Sequence, residues 1–207
     1  MMFNFLFRLA LGVSLIALGG CASTQPTRFY VLSSLPRLEA NQAESAKRGV
    51  AVGIRPVALP KYLDRPQIVT RAGRNQLDLA EFDRWAEPLK NNFGNVIAEN
   101  LSILVPTNRI AVFPWNKSTP IDYQLTVDVT RFEARASGDS QLISRWSILG
   151  KNGKKVILRR KSEFREPVTG GSEASGGQDY KATVSAMSRA LESLSREIAE
   201  AIRGLSR

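Results

Sequence analysis

The chain has 207 residues, 43% of them hydrophobic, with 29 Lys and Arg against 19 Asp and Glu, a formal net charge of +10, one cysteine and no histidine. That composition allows a real core in one domain. It excludes internal disulfides, histidine–cysteine zinc sites, cysteine–histidine nucleophiles and Ser-His-Asp triads.

Residues 1–20 carry one charged side chain, Arg8, and an apolar run from Leu9 to Leu18 closed by Gly19 and Gly20. Such a segment reads as a secretory signal, too short to span a bilayer. The lone cysteine, Cys21, follows at once. Leu18-Gly19-Gly20-Cys21 resembles the lipobox of bacterial lipoproteins, which implies diacylglycerol on the Cys21 sulfur, cleavage before it, and acylation of the new amino terminus. Each buried methylene is worth about 0.8 kcal/mol, so two or three chains anchor essentially permanently. Ala22, where an aspartate would retain the protein at the inner membrane, favours the outer membrane. Residues 21–28 form a lipidated tether and 29–207 a single periplasmic domain. The seven residues from Ala22 to Arg28 span at most about 23 Å, which holds the domain close to its membrane. An exported protein with this charge rarely meets nucleic acid, and none is expected. Anionic headgroups are the expected counterpart.

Arg28 to Ser34 reads as a strand rich in Phe, Tyr and Val. Residues 36–49 are polar and aperiodic, a surface loop. Residues 50–59 read as a strand interrupted at Pro56, which suggests a sheet edge or a strand end. Residues 67–73 and the short 76–80 are the next strands, with a turn between them at Gly73–Asn75. Residues 82–105 are expected to be helical, with Leu89, Phe93, Val96, Ile97, Leu101 and Leu104 on one face, Pro88 in the first turn and Pro106 as the stop. Residues 109–115 form another strand. From Ile121 to Arg135, apolar and polar residues alternate as in a half-buried antiparallel strand. Two more strands flank Asn152-Gly153, a pair suited to a tight turn with both residues at positive φ, giving a three-stranded meander. Residues 169–178 read as a flexible linker. Tyr180, Val184, Met187, Leu191, Leu194, Ile198, Ala201 and Leu205 then repeat every three or four residues, either on a sheet or in a coiled coil. The expected fold is α+β, an antiparallel or mixed sheet with two long amphipathic helices packed on it.

Three stretches invite a functional reading. Residues 55–71 set Pro60, Tyr62 and Leu63 beside Arg65 between two strands. They form either an interface loop of apolar anchors among basic residues or side chains folded back on the core. Trp85 is either a staple on a helix start or a partner anchor. Residues 151–161 hold six basic residues, of which Lys155, Arg159 and Lys161 share a strand face. That face either contacts an anionic surface or is a solvated face that deters edge pairing. No motif favours carboxylate-pair or Ser–Lys chemistry, and no Asp/Glu cluster suggests a metal. No phosphate-binding glycine loop is present. The expectation is a non-enzyme without cofactor or metal.

Together with the lipobox, the blocks RFYVLSSLP, VGIRPVALPKYLDRPQIVTR, FDRWAEPL and IDYQLTVDVTRFEA resemble the ABC-type transport auxiliary lipoprotein family, also called the paraquat-inducible protein C or YmbA family. The resemblance covers nearly the whole mature chain and rests most on LPKYLDRPQIV and RWAEPL. It implies a non-catalytic, periplasm-facing outer-membrane lipoprotein that serves a transporter with mammalian-cell-entry (MCE) subunits and supports envelope integrity. The expected partners are the MCE tunnel subunit, the outer membrane through the lipid anchor, and further copies of the chain around a tubular partner. The rival expectation is an envelope-assembly or peptidoglycan-synthase-regulating lipoprotein.

Overall fold

The computed structural model describes residues 25–36, 49–105, 107–116, 118–135, 137–169 and 179–205. The signal segment, Cys21, most of the 36–49 loop and the linker from 170 to 178 lie outside them. The described residues form β1 (Arg28–Tyr30), β2 (Val52–Ile54), β3 (Gln67–Arg71), β4 (Leu77–Trp85), α1 (Leu89–Leu104), β5 (Ile110–Val112), β6 (Tyr123–Arg135), β7 (Asp139–Gly150), β8 (Val156–Pro167) and α2 (Tyr180–Leu205). They make one mixed sheet in the order β1-β4-β3-β6-β2-β5, with β7 also on β6 and β8 on β7.

The alternating segment forms β6, and both of its edges are used. β7 pairs antiparallel with it from Tyr123↔Gly150 to Ala134↔Ser140. The other edge is divided between two parallel strands. β2 takes Tyr123 to Leu125, and β3 takes Ala134 and Arg135. Between these contacts the chain stays on β6 as far as Ala58, whose N–H donates to the Val127 carbonyl at 3.0 Å and whose carbonyl accepts from Val129 N–H at 2.9 Å. Residues 59–66 then leave the edge as a loop, and β3 returns to it. β2 is therefore flanked on both sides. Pro56 marks its end rather than a sheet edge, because a residue without an N–H can close a ladder but not extend it.

The helix expected from Phe82 starts at Leu89. Residues 82–85 instead extend β4, where Arg28 and Tyr30 of β1 pair with Asp83 and Trp85. Asp83 and Trp85 are buried while Arg84 is exposed, the period-two pattern of a strand. Pro88 is the N-cap; its carbonyl accepts from Asn91 and Asn92 N–H. The turn after β7 also differs from the expected form. Among the described residues only glycines have positive φ, so Gly153 (φ +67°) adopts the left-handed conformation and Asn152 does not. Gly153 N–H donates to Gly150 O and Asn152 Oδ1 accepts from Lys154 N–H. The side chain thus does locally what a second left-handed residue would have done.

α1 buries Leu89, Phe93, Ile97 and Leu101, and the Phe93 ring meets Phe132 of β6 edge-on at 5.2 Å. α2 buries Val184, Met187, Leu191, Leu194 and Ile198. It lies across β7 and β8 and beside α1, so its repeat is a helix-on-sheet seam. Residues 31–36 run over the two helices as a strap held by buried amides. Asn92 Oδ1 accepts from Leu32 N–H at 2.7 Å, Asn100 Oδ1 from Leu35 N–H at 2.8 Å, and Ser188 Oγ from Ser33 N–H at 3.1 Å. Asn100 also donates to Ser195 Oγ at 3.1 Å, which ties α1 to α2.

Replacing Asn100 by Ala leaves the Leu35 N–H without its acceptor. An orphaned donor costs about 1–3 kcal/mol. Urea denaturation of Asn100→Ala is expected to show a lower midpoint at unchanged slope, whereas Asn91→Ala, on the exposed side of α1, changes stability by less than about 0.5 kcal/mol.

Candidate functional site

Loop 59–66 bulges from the β6 edge because β2 and β3 cannot both continue along it. A turn shapes it, with Leu63 N–H and Asp64 N–H both donating to Pro60 O, and Trp85 N–H closes it by donating to Pro66 O at 2.7 Å. Leu63 is 2% exposed and Trp85 5% exposed. Both are core side chains, which corrects their reading as partner anchors; an exposed anchor would have nothing of its own domain to pack on. Pro60 and Arg65 are partly exposed, and Lys61, Asp64 and Pro66 are exposed. Arg65 and Trp85 nevertheless meet. With Asp64, Pro66, Glu87 and Pro88 they line a cleft of about 360 Å³. Arg65 Nε is buried beside it with no hydrogen-bond partner.

Tyr62 folds back on its own domain, partly buried against the core, and its hydroxyl adds a polar role. Its hydroxyl donates to Glu133 Oε2 at 2.8 Å and approaches the Thr130 carbonyl at 3.4 Å. There β6 is unpaired by β2 or β3 and slips register against β7, between Val129 and Arg131. Glu133 is fully buried. It also accepts from Phe132 N–H at 3.1 Å and from Arg71 Nε at 2.7 Å. Every contact of the carboxylate is thus charge-assisted. Burial first, then the charge of Glu133 and the bond to it, pushes the Tyr62 phenol far above its ordinary pKa. The loop is pinned to the sheet by an ion, a phenol and a leucine.

Lys155, Arg159 and Lys161 are all exposed. Arg159 and Lys161 alternate along β8 with the buried Ser162. Lys155 instead stands in the turn before β8, beyond a register shift between Ile148 and Leu149, so the three do not follow one uninterrupted alternation. Val156 and Ile157 are exposed between them. Lys155 sits at the β7–β8 turn, level with Tyr123 at the start of β6. The chain enters β1 nearer the other end, since β1 runs parallel to the last part of β4. The 13 residues of β6 separate the two ends by about 40 Å at roughly 3.3 Å per residue.

The cluster that sequence reading missed lies at that nearer end, where Arg71, Arg74, Arg131 and Arg135 line one cleft. The signal was present in Thr70-Arg71-Ala72-Gly73-Arg74 and in Arg131-Phe132-Glu133-Ala134-Arg135. Joining them requires knowing that β3 lies parallel to β6 with Arg71 opposite Arg135. Among the described residues, no three of Asp, Glu, His and Cys gather as metal ligands, and no helix is long and apolar enough to cross a membrane.

Residues 30–199, from the end of β1 to near the end of α2, match the model of the ABC-type transport auxiliary lipoprotein component. The chain belongs to this family. Within the family's reach, the intermembrane transport lipoprotein PqiC of Escherichia coli (strain K12) is 25% identical over 135 residues, covering 65% of this chain and 70% of PqiC. PqiC of Shigella flexneri matches to the same extent. A crystal structure of an uncharacterized protein superposes with a TM-score of 0.67 at 20% identity, over 86% of this chain and 99% of the other. Protein XCC0632 from Xanthomonas campestris gives 0.65 at 18% identity, over 84% and 93%. These two show a shared α+β fold. The 59–66 loop, β4 with Trp85, and both arginine-bearing turns of this family member fall inside the matched span.

Two outcomes follow from the buried groups. Tyr62→Phe removes one hydrogen bond to a buried carboxylate and is expected to cost about 1.5–3 kcal/mol. Arg71→Met strands Glu133 and is expected to cost about 3–5 kcal/mol. Both are read by denaturant midpoints. The second outcome concerns pH. Burial first, then its bond to Asp83 at 2.7 Å, pushes the Tyr30 phenol up to about 12; burial also raises Tyr180. Unfolded phenols ionise near pH 10. Above that pH the native state holds protons that the unfolded chain has lost, so stability, complete below about pH 10, falls as pH rises. Tyrosinate absorbance is expected to lag in the native protein, and denaturation near pH 11 to need less denaturant than at pH 8.

Proposed function

We propose that this chain is a non-enzymatic lipoprotein subunit of an MCE-type intermembrane lipid transport system. It is fixed by lipid on Cys21 to the periplasmic face of the outer membrane, where it docks the MCE tunnel and supports envelope integrity. The observation that carries this reading is the family match, which spans the described domain from Tyr30 into α2. The lipobox around Cys21 supplies the anchor, and Ala22 supports outer-membrane sorting.

The docking surface is the rim of loop 59–66. Lys61, Asp64 and Pro66 are outward, and Arg65 holds a buried Nε with no hydrogen-bond partner at the cleft beside Trp85. Tyr62, Leu63 and Trp85 give this rim its shape. A rigid rim costs less ordering on binding than a mobile loop. Several copies around a tubular partner would present the rim repeatedly. Lipid passes through the partner, and the energy for transport comes from other subunits.

A photo-crosslinking residue at Lys61 or Pro66, in cells expressing the native lipoprotein, is expected to capture an MCE subunit. A deletion strain is expected to lose detergent resistance. Capture of a peptidoglycan synthase or an assembly factor instead, with normal detergent resistance, favours the regulating lipoprotein. Mass measurement of the mature amino terminus is expected to find acylated Cys21.

A further inference from the structure

Two hairpin turns meet at one end of the sheet. β3 and β4 are joined through residues 72–76, and β6 and β7 through residues 136–138. Because Arg71 lies opposite Arg135 in parallel register, the turns stand side by side. Between them is a cleft of about 490 Å³, lined by Arg71, Arg74, Arg131 and Arg135 together with Asn75 and Ser137. Arg131 and Arg135 alternate with Phe132 and Ala134, so they point away from the helices on the same face as Glu133.

The charges in this cleft are not balanced. Arg71 pairs with Glu133 at 2.7 Å and Arg135 with Asp139 at 3.4 Å. Arg74 and Arg131 have no carboxylate partner among the described residues, and no acidic side chain lines the cleft. Elsewhere on the surface some exposed arginines find one, as Arg145 does with Asp128, Arg165 with Glu163 and Arg196 with Glu192, while Arg55, Arg84, Arg159 and Arg203 stand exposed without one among the described residues. Arg74 and Arg131 differ in sharing one cleft with two further arginines. Two unpaired guanidinium groups stand in one cleft beside two paired ones, so the cleft keeps a net positive charge. An anion would offset it. All four basic residues are arginine, whose planar fork binds phosphate in bidentate fashion where lysine offers a point charge. The volume lies within the range of small-ligand sites, and the lining suits a polar headgroup rather than acyl chains.

The place of the cleft in the fold supplies the second argument. β1 runs parallel to β4, with Arg28 at the level of Asp83. The chain therefore reaches Arg28 from the side on which β4 begins, and Leu77 at the start of β4 is level with Arg71. The six residues from Asp83 back to Leu77 cover about 20 Å, and the tether from Arg28 to Cys21 covers up to about 23 Å. A tether of that length can reach the two turns. The arginine cleft is within reach of such a tether, and the Lys155 end of the sheet is not.

We infer that the cleft formed by Arg71, Arg74, Arg131 and Arg135 is a phosphate-binding site that takes the headgroup phosphate of an anionic phospholipid in the membrane carrying the anchor. The choice of a lipid as the source of the phosphate rests on the anchored-lipoprotein reading; the site itself does not.

The test uses the purified lipoprotein in a nonionic detergent, titrated calorimetrically with dihexanoyl phosphatidylglycerol, dihexanoyl phosphatidylcholine and inorganic phosphate. Phosphatidylglycerol is expected to bind most tightly and to weaken as salt is added. The Arg74→Gln/Arg131→Gln double variant, which spares both internal ion pairs, is expected to bind it about tenfold more weakly or worse. The Lys155→Gln/Arg159→Gln/Lys161→Gln variant is expected to bind like the unmodified sequence. Undiminished binding in the double variant overturns the site, and an equal loss in both variants reduces it to general surface charge and overturns it too. Inorganic phosphate binding as tightly as phosphatidylglycerol overturns the lipid assignment. The amino-terminal mass is read on the same sample. An unmodified Cys21 would refute the anchor while leaving the titration interpretable, because the short-chain lipid is supplied in solution.

Discussion

The fold turns on the pairing of one long strand. β6 must satisfy thirteen residues of backbone on two edges. A single antiparallel neighbour covers one edge, and two short parallel strands divide the other. Among the described residues no third strand fills the gap between Asp128 and Ala134. The sequence instead places there a loop whose phenol reaches the Thr130 carbonyl and the buried Glu133 carboxylate. That gap decides where loop 59–66 stands, why Glu133 finds the Tyr62 hydroxyl in the interior, and why Arg71 comes to lie opposite Arg135. Leaving a buried backbone group without a partner costs on the order of a hydrogen bond. Tyr62 and Glu133 therefore belong with the architecture as much as with any surface they shape.

What could be seen in the sequence was whatever depended on local period. The alternation from Ile121 and the three-and-four spacing of Leu89 to Leu101 and of Val184 to Ile198 are single-element patterns, and each became the element its period implies. The errors came where tertiary pairing overrode a local cue. Phe82 to Trp85 stands next to a helix and has too few residues to show its own period; pairing with β1 makes it strand. Pro56 left open a sheet edge or a strand end, and the pairing of β2 on both sides decides for the strand end. For Tyr62, Leu63 and Trp85, an aromatic and apolar loop between strands reads alike whether it faces a partner or its own core. Only burial separates the two. The four-arginine cleft was illegible for a simpler reason. Its two pairs are about sixty residues apart in the chain, and only the β3–β6 register brings them together.

The two basic regions differ in kind. On β8 the charges alternate along a strand, mix with Glu163 and Arg165, and are spread over an exposed face. Arg165 and then Gln141 hold the Glu163 carboxyl below its ordinary range, so part of that face is internally matched. At the paired turns four arginines converge on one cleft and only two of them are matched by carboxylates. Net charge alone, +10 for the chain, could not separate these regions. Distribution can, since fields from a concave cluster reinforce one another where those of a flat mixed face largely cancel.

The direction of β1 has a mechanical consequence. Any pull on the anchor is directed along the strand toward the start of β4, so it loads the β1–β4 ladder in shear, with its bonds sharing the force, rather than peeling them one by one. Behind that ladder the strap over α1 and α2 is clasped by Asn92, Asn100 and Ser188. Under the proposed anchoring, a bilayer that bends or drifts would therefore load this ladder along its length, and three strand residues can serve as a strain-bearing joint.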